Sequence, residues 1–144
     1  MSAMSDYLEN KVGDHILRDT AYTKPTTVYV ALYTAAPSDT GGGTEVTGGS
    51  YARVQVGPGL TSWVGTHGTT TGASSGTGGQ FSNAATVTFP VPSANWGVIT
   101  HFALLDASTS GNFLVHGALT TSKTVNNGDP APTFAAGALV VTFA

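Results

Sequence analysis

The sequence predicts an all-β protein, an antiparallel β-sandwich of jelly-roll type with one N-terminal α-helix. Roughly six to eight short segments rich in β-branched and aromatic residues alternate with glycine-containing turns. Helical spacing of apolar residues is convincing only at residues 5–19. The length of 144 residues predicts a single domain, 1–144, with the sandwich spanning residues 27–143.

The helix at residues 5–19 has recognisable signals at both ends. Ser5 is a suitable N-cap, Asp6 lies where the helix dipole favours an anion, and Arg18 lies near the opposite end. Because so short a helix is marginal alone, we expect it to cover one end or face of a sheet. Its predicted apolar stripe consists of Leu8, Val12 and Ile16, joined at the edge by Leu17.

Two strongly apolar runs, residues 95–106 and 112–119, form the predicted core hairpin. The gap at residues 107–111 is long enough to reverse the chain and too polar to be buried. A strand that is apolar on both faces implies a second layer. Strict alternation assigns Trp96, Val98, Phe102 and Leu104 to one face of the first strand, and Ile99, Ala103 and Leu105 to the other.

Further strands are predicted on both sides of this hairpin. Shorter ones are expected at residues 51–56, 85–89, 123–125 and 138–143. In residues 27–34 the predicted faces are Val28, Val30 and Leu32 on one side, and Tyr29, Ala31 and Tyr33 on the other. The inward residues of the two later strands are Ala85, Val87 and Phe89, and Leu139, Val141 and Phe143.

Residues 57–80 form a long Gly/Thr-rich segment with eight glycines. Leu60, Trp63 and Val64 are able to anchor one short strand there. The rest buries too little to fix itself, so we expect an exposed, mobile loop.

The charge content is low. Charged residues make up 9% of the chain, against about 25% in typical soluble proteins. A net charge of -3 with five Lys and Arg residues provides no basic patch to neutralise phosphates, so we expect no nucleic-acid partner. No apolar run approaches the roughly 20 residues that span a bilayer, and no signal peptide is recognisable. We therefore expect no membrane partner and synthesis in a cytoplasm.

Catalytic motifs are missing from the sequence. There is no Walker loop, no G-x-S-x-G elbow around a serine, and the eight Asp and Glu residues are scattered. We therefore expect neither an enzyme nor a cofactor. His101 and His116, on the two arms of the hairpin, offer an alternative metal site with His67 or Asp106 as third ligand. Hydrogen-bonded structural roles are the favoured interpretation, because a metal site needs ligands that converge in space.

Several aromatic residues are harder to assign to a core. Tyr29, Tyr33, Tyr51 and Trp63, together with Arg53, are of the types that buried protein interfaces favour. We predict a partner interface at these five residues, with partial burial in the core as the alternative. A sugar-binding platform is a further alternative.

Several stretches resemble one family, the small structural proteins of tailed-bacteriophage virions. The resemblance covers nearly the whole chain except residues 57–80. The stretches that carry it are Tyr7-Leu-Glu-Asn-Lys11 with Asp14-His15, residues 21–23, Val28-Tyr-Val-Ala-Leu-Tyr-Thr-Ala-Ala-Pro37, Thr44-Glu-Val-Thr-Gly-Gly-Ser-Tyr-Ala-Arg53, residues 85–90, Trp96-Gly-Val-Ile-Thr-His-Phe102, Val125-Asn-Asn-Gly-Asp129 and residues 134–137.

The resemblance implies a place in the virion. Members of the family are often labelled tail-fibre proteins, while relatives resemble jelly-roll cement proteins that bind the outside of icosahedral heads. The preferred interpretation is a capsid cement, or decoration, protein on the outer surface of the head. Its implied partners are the major capsid protein and further copies of itself, as a homodimer or homotrimer. The alternative is a tail-associated fibre or adhesin protein that contacts host surface glycan.

Overall fold

The computed structural model describes residues 2–66, 72–75 and 77–143. Within these residues the chain forms one α-helix and eleven β-strands. In chain order they are β1 (Ser2–Met4), α1 (Asp6–Leu17), β2 (Tyr29–Ala35), β3 (Thr44–Glu45), β4 (Val54–Gln55), β5 (Trp63–Val64), β6 (Gln80–Asn83), β7 (Val87–Thr88), β8 (Gly97–Leu105), β9 (Phe113–Val125), β10 (Thr133–Phe134) and β11 (Val140–Thr142).

The strands pair antiparallel in three sheets. The largest has six strands in the order β1-β9-β8-β2-β3, with β4 also paired to β2. A three-stranded sheet, β11-β6-β5, and a two-stranded sheet, β10-β7, accompany it. The predicted class, a mostly β protein with antiparallel strands and one short N-terminal helix, is confirmed. The finer prediction of a jelly-roll sandwich is not confirmed by this arrangement.

The predicted core hairpin is formed by β8 and β9. Its register is irregular between Ile99 and His101. Ile99 is 2% exposed and packs in the same apolar cluster as Phe102, whereas Val98 is 47% exposed. The face predicted for Ile99 and Val98 is therefore wrong, because an irregular register moves side chains to the opposite face.

Strand β2 lies between β8 and the short strands β3 and β4, and its two faces belong to two apolar clusters. Val30 and Leu32 pack in the larger cluster, and Ala31 and Tyr33 pack in the smaller one. The Tyr33 ring meets the Phe113 ring edge-on, with centroids 6.2 Å apart. The alternation predicted for this strand is confirmed.

Helix α1 begins where the sequence predicts. The Ser5 side chain accepts a hydrogen bond from the Leu8 N–H at 3.2 Å, and its hydroxyl donates to the Phe113 carbonyl of β9. Leu8 is buried, but Ile16 and Leu17 are 71% and 83% exposed. The predicted stripe is thus wrong at its C-terminal end, because the sheet covers only the first turns. No helix of the described residues is long and apolar enough to cross a membrane.

Strands β1 and β6 have no clear signal in the sequence. The fully buried Asn83 fixes the end of β6, since its side-chain Nδ2 donates to the carbonyls of Ala85 and Ala135, both at 2.8 Å. Its Oδ1 accepts the Leu139 N–H at 2.8 Å. Such a bond network between distant segments leaves no periodic pattern that sequence reasoning could detect.

The segment 57–80 is only partly described. The short strand expected around Trp63 is present as β5, which pairs with β6. Leu60 is 59% exposed, in agreement with the predicted exposure of the segment. Its residues 67–71 and 76 lie outside the described residues.

Gly117 of β9 allows β1 and the Phe102 ring to approach closely. A Cβ at this position would lie 3.0 Å from a Phe102 ring carbon and 3.3 Å from the Ser2 Cα. We predict that Gly117→Ala lowers the free energy of unfolding by about 1–3 kcal/mol, the usual cost of overpacking. The measurement is urea denaturation followed by circular dichroism.

The control for this substitution is Gly13→Ala in α1, where a Cβ would meet nothing within 4 Å. This variant should be more stable than the parent, by up to about 1 kcal/mol, because alanine favours a helix over glycine. Equal stability of Gly117→Ala and the parent protein would contradict the close packing of β1 on β9.

Candidate interaction surface

Glu45 ends β3 and Arg53 directly precedes β4, and both of these short strands pair with β2. The Arg53 Nε donates to Glu45 Oε1 at 2.8 Å, and its Nη2 donates to Oε2 at 2.7 Å. The Arg53 side chain is 9% exposed and that of Glu45 is 22% exposed. A bidentate pair of this kind is strong and fixes orientation. The hydrogen bond with Glu45 raises the pKa of Arg53 further above its ordinary value.

The same guanidinium also holds the turn between β8 and β9. Its Nη1 donates to the carbonyls of Ala107 and Ser110, at 2.9 and 2.8 Å. Asp106 braces the turn from within, because its carboxylate accepts the backbone N–H and side-chain amide of Asn112, at 2.6 and 2.7 Å. Arg53 therefore joins β3, β4 and the hairpin turn into one unit.

Tyr51 extends this network into the apolar core. Its hydroxyl donates to Glu45 Oε1 at 3.0 Å and accepts the Leu32 N–H at 2.9 Å. Its ring meets the Trp96 ring edge-on, with centroids 5.3 Å apart. Burial raises the pKa of Tyr51 above its ordinary value of 10.0, and the hydrogen bond from Leu32 opposes part of that rise.

A cleft of about 480 Å³, which we call the hairpin-turn cleft, opens beside Arg53. Its walls come from three parts of the chain that are far apart in sequence: the start of α1, the loop after β2, and the turn between β8 and β9. The lining residues include Asp6, Tyr7, residues 39–42, Arg53 and residues 110–113.

One backbone hydrogen bond and one side-chain contact connect the elements that carry the two carboxylates of the cleft. The Asp6 N–H donates to the Asp39 carbonyl at 3.0 Å, which ties α1 to the loop after β2. The Asp39 side chain is 56% exposed, and its Oδ1 lies 3.0 Å from His116 Nε2. No bonding partner of the Asp6 carboxylate is found in the described part of the chain. The cleft thus presents two exposed carboxylates, of which that of Asp39 has a partner and that of Asp6 keeps its full capacity to accept hydrogen bonds.

The five predicted interface residues lie in different surroundings. Tyr33, Tyr51 and Arg53 are engaged inside the chain, as described above. Tyr29 is half-buried, with its hydroxyl 3.4 Å from Gln55 Oε1. Trp63 is half-buried too, and its indole N–H donates to a carbonyl of the same chain at 2.8 Å. A partner interface at these residues stays a prediction, and their contacts within the chain agree with the alternative of partial core burial.

Trp63 lines an apolar groove of about 710 Å³, which we call the helix groove. Leu8 and Val12 of α1 line one side, and Tyr22 and Phe143 are among the other lining residues. A sugar in this groove would leave most of its hydroxyls without partners, at a high desolvation cost. The helix groove therefore does not suit the sugar-binding platform that Trp63 suggests in the sequence.

The histidines do not converge. The hairpin register sets His101 opposite Ala118 and His116 opposite Ala103, so the two imidazoles do not face each other across the hairpin as a shared metal site would require. His101 Nδ1 lies 2.8 Å from the Thr100 hydroxyl, while His116 pairs with Asp39. Among the described residues there is no group of three or more potential metal ligands. His67 lies outside the described residues.

Buried tyrosines predict a loss of stability at alkaline pH. Burial raises the pKa of Tyr33 to about 12, with a further rise from Glu45. Below pH 10 Tyr33 is protonated in both the folded and the unfolded chain, so its contribution to the free energy of unfolding is fully present. As the pH rises from 10 through 12, the unfolded chain loses this proton first, and the free energy of unfolding should fall.

The measurement is the urea midpoint as a function of pH from 8 to 11. Tyr33→Phe keeps the ring contact with Phe113 but has no proton to lose, so its midpoint should fall less steeply than that of the parent. Parallel curves for the two proteins would show that Tyr33 does not cause the alkaline loss.

The comparisons with known proteins identify the family. No curated protein matches the chain significantly. A family model described as podophage GP4 fiber I protein gp80 matches residues 3–142, which is nearly the whole chain. That span includes every wall of the hairpin-turn cleft and the segment 57–80. The chain therefore belongs to the podophage GP4 fiber I protein gp80 family, a family of phage virion structural proteins.

Proposed function

We propose that this protein is a component of a phage tail fibre and contacts saccharides of the host surface through the hairpin-turn cleft. The family match over residues 3–142 is the observation that carries the first part, because the family is described as a fibre protein. The chemistry of the cleft supports the second part. We propose a binding role without catalysis, since neither the sequence nor the cleft offers a nucleophile beside a base.

The capsid-cement interpretation, preferred from the sequence alone, has no support from the comparisons. The family description favours the fibre alternative. The major capsid protein is therefore not retained as the proposed partner. Self-association as a homodimer or homotrimer remains compatible with a fibre.

The cleft suits a saccharide because a sugar presents many hydroxyls, each of which donates and accepts hydrogen bonds. Asp6 and Asp39 supply carboxylate acceptors. Tyr7 and Phe113 add half-buried aromatic rings to the same walls. Pockets of small ligands combine apolar walls with a few positioned polar groups in this way.

Arg53 has a supporting role in this proposal. Its donors are engaged by Glu45 and by two carbonyls of the hairpin turn. It therefore holds the cleft in shape and leaves little bonding capacity for a ligand. A preformed site of this kind avoids the ordering cost that a loose loop would incur on binding.

Substitution of Asp6 tests the proposed site. Asp6→Asn keeps the shape of the side chain but replaces the carboxylate, which accepts hydrogen bonds from sugar hydroxyls, with an uncharged amide. We predict that this variant binds host cells at least about fivefold more weakly than the parent, which corresponds to about 1 kcal/mol. The measurement is saturation binding of the fluorescently labelled protein to host cells.

Glu9→Gln is the matched control, because Glu9 is the other acidic residue in the first turn of α1 and does not line the cleft. Both substitutions remove a favourable helix-dipole interaction of about 0.3–1 kcal/mol, so the two variants should lose similar stability. Only Asp6→Asn should lose binding. Equal binding by both variants would exclude the cleft as the host-contact site.

The fibre role has its own test, in which the purified parent protein competes with phage particles for adsorption to host cells. A host-contacting fibre component should slow adsorption in proportion to its occupancy of the cell surface. Adsorption that is unchanged at saturating protein would contradict the proposed function.

A further inference from the structure

The turn that follows β9 contains the one Asn-Gly step of the sequence, Asn127-Gly128. Both residues are exposed. An asparagine loses its side-chain amide when the backbone nitrogen of the next residue attacks the amide carbon. Glycine in that next position favours the attack, because it has no Cβ to obstruct the approach and its backbone is the most adaptable. Position 127 is therefore the place in the sequence where deamidation is chemically easiest.

Residues 126–129 form a type II turn. The Asp129 N–H donates to the Asn126 carbonyl at 3.2 Å, and the Asn126 N–H donates to Asp129 Oδ2 at 2.7 Å. Gly128 has a φ of 81°, which the third residue of such a turn requires and which glycine adopts without strain. The two hydrogen bonds between its ends therefore fix the shape of the turn.

Two further hydrogen bonds attach the turn to residues 92–95. The Asn127 N–H donates to Asn95 Oδ1 at 2.8 Å. The Gly128 N–H donates to the carbonyl of Pro92 at 3.1 Å, and Pro92 is fully buried. The nitrogen that deamidation requires is thus engaged by a backbone carbonyl of the folded chain.

The reaction needs this nitrogen to be free. Gly128 N gives its proton to hydroxide and forms a bond to Asn127 Cγ, while the bond from Cγ to the side-chain nitrogen breaks and ammonia leaves with a proton from water. Water then opens the cyclic imide at either carbonyl, which gives aspartate or isoaspartate at position 127. While the Gly128 N–H donates to Pro92, its proton is retained and the nitrogen is held in place.

We propose that Asn127 is the deamidation site of this protein, and that the hydrogen bond from Gly128 to Pro92 restricts the reaction to moments when the turn opens away from residues 92–95. The rate in the folded protein is then the rate in the unfolded chain multiplied by the fraction of time that the turn is open. This modification is separate from the proposed saccharide contact, because residues 126–129 do not line the hairpin-turn cleft.

Deamidation would weaken the turn once it has occurred. Either product adds a negative charge two residues before Asp129, whose carboxylate accepts the Asn126 N–H, and like charges at short distance repel. Isoaspartate also lengthens the main chain within the turn. The modified turn should therefore open more often than the parent turn.

The first test compares the folded protein with the same chain in guanidinium chloride, at one alkaline pH, by peptide mapping with mass spectrometry. In the unfolded chain Asn127 should deamidate faster than Asn112, which is followed by the bulky Phe113. In the folded protein Asn127 should react at least about tenfold more slowly than in the unfolded chain, which corresponds to an opening free energy of about 1.4 kcal/mol or more.

Asn127→Gln identifies the reacting residue, since the longer side chain of glutamine forms its cyclic imide far more slowly. The deamidation signal of this peptide should disappear in the variant. A signal that persists would belong to the neighbouring Asn126 and would contradict the assigned site.

The second test loosens the attachment of the turn. Asn95→Ala removes one of its two hydrogen bonds to residues 92–95 and should accelerate deamidation of the folded protein about two- to tenfold, the range for one ordinary hydrogen bond. Asn10→Ala is the matched control, because Asn10 is also an exposed asparagine but lies on α1. It should react at the parent rate, and both variants should match the parent when unfolded.

Three results would overturn the proposal. Equal rates in the folded and unfolded chains would show that the turn gives no protection. A parent rate in folded Asn95→Ala would show that attachment to residues 92–95 does not control the reaction. Faster deamidation of another asparagine in the unfolded chain would place the site elsewhere. No measurement here involves host cells, so failure of this proposal is distinguishable from failure of the proposed function.

Discussion

The bidentate ion pair between Arg53 and Glu45 is the interaction on which the hairpin-turn end of the fold depends. Strands β3 and β4 have only two residues each, too few to hold their places by ladder bonds alone. The guanidinium ties them to the turn between β8 and β9, and Tyr51 ties the same carboxylate to the core. Removing either partner would leave a partly buried charge without its counter-ion, which destabilises the folded chain. The shape of the hairpin-turn cleft follows from this pair.

Sequence reasoning succeeds where the apolar residues of a segment follow one regular spacing. The alternation in β2, the cap at Ser5 and the apolar hairpin are local patterns, and the structure reproduces them. It fails where a tertiary contact overrides the pattern, as at Ile99, where the irregular register moves a side chain to the other face. The bidentate pair was not predictable either. The residue type of Arg53 favours an interface, and only the folded structure shows that Glu45 is its partner. The spacing of eight residues between them carries no signal by itself.

The molecule separates surfaces of different chemistry. Carboxylates and aromatic rings line the hairpin-turn cleft, which suits a hydroxyl-rich ligand. The helix groove is almost wholly apolar and does not suit a sugar. With only 9% charged residues, the chain relies on hydrogen bonds and apolar packing for its contacts, so their strength should depend weakly on salt.

The proposed place of the protein in the tail fibre is tested by locating it on the virion. Membership of a virion protein family does not by itself distinguish a fibre protein from a head protein. Gold-labelled antibody against the protein should be applied to intact particles and viewed in the electron microscope. If the protein is a fibre component, label should lie at the tail, on or beside the fibres, with heads unlabelled. Label distributed over the heads would contradict the fibre role and return the protein to the capsid surface.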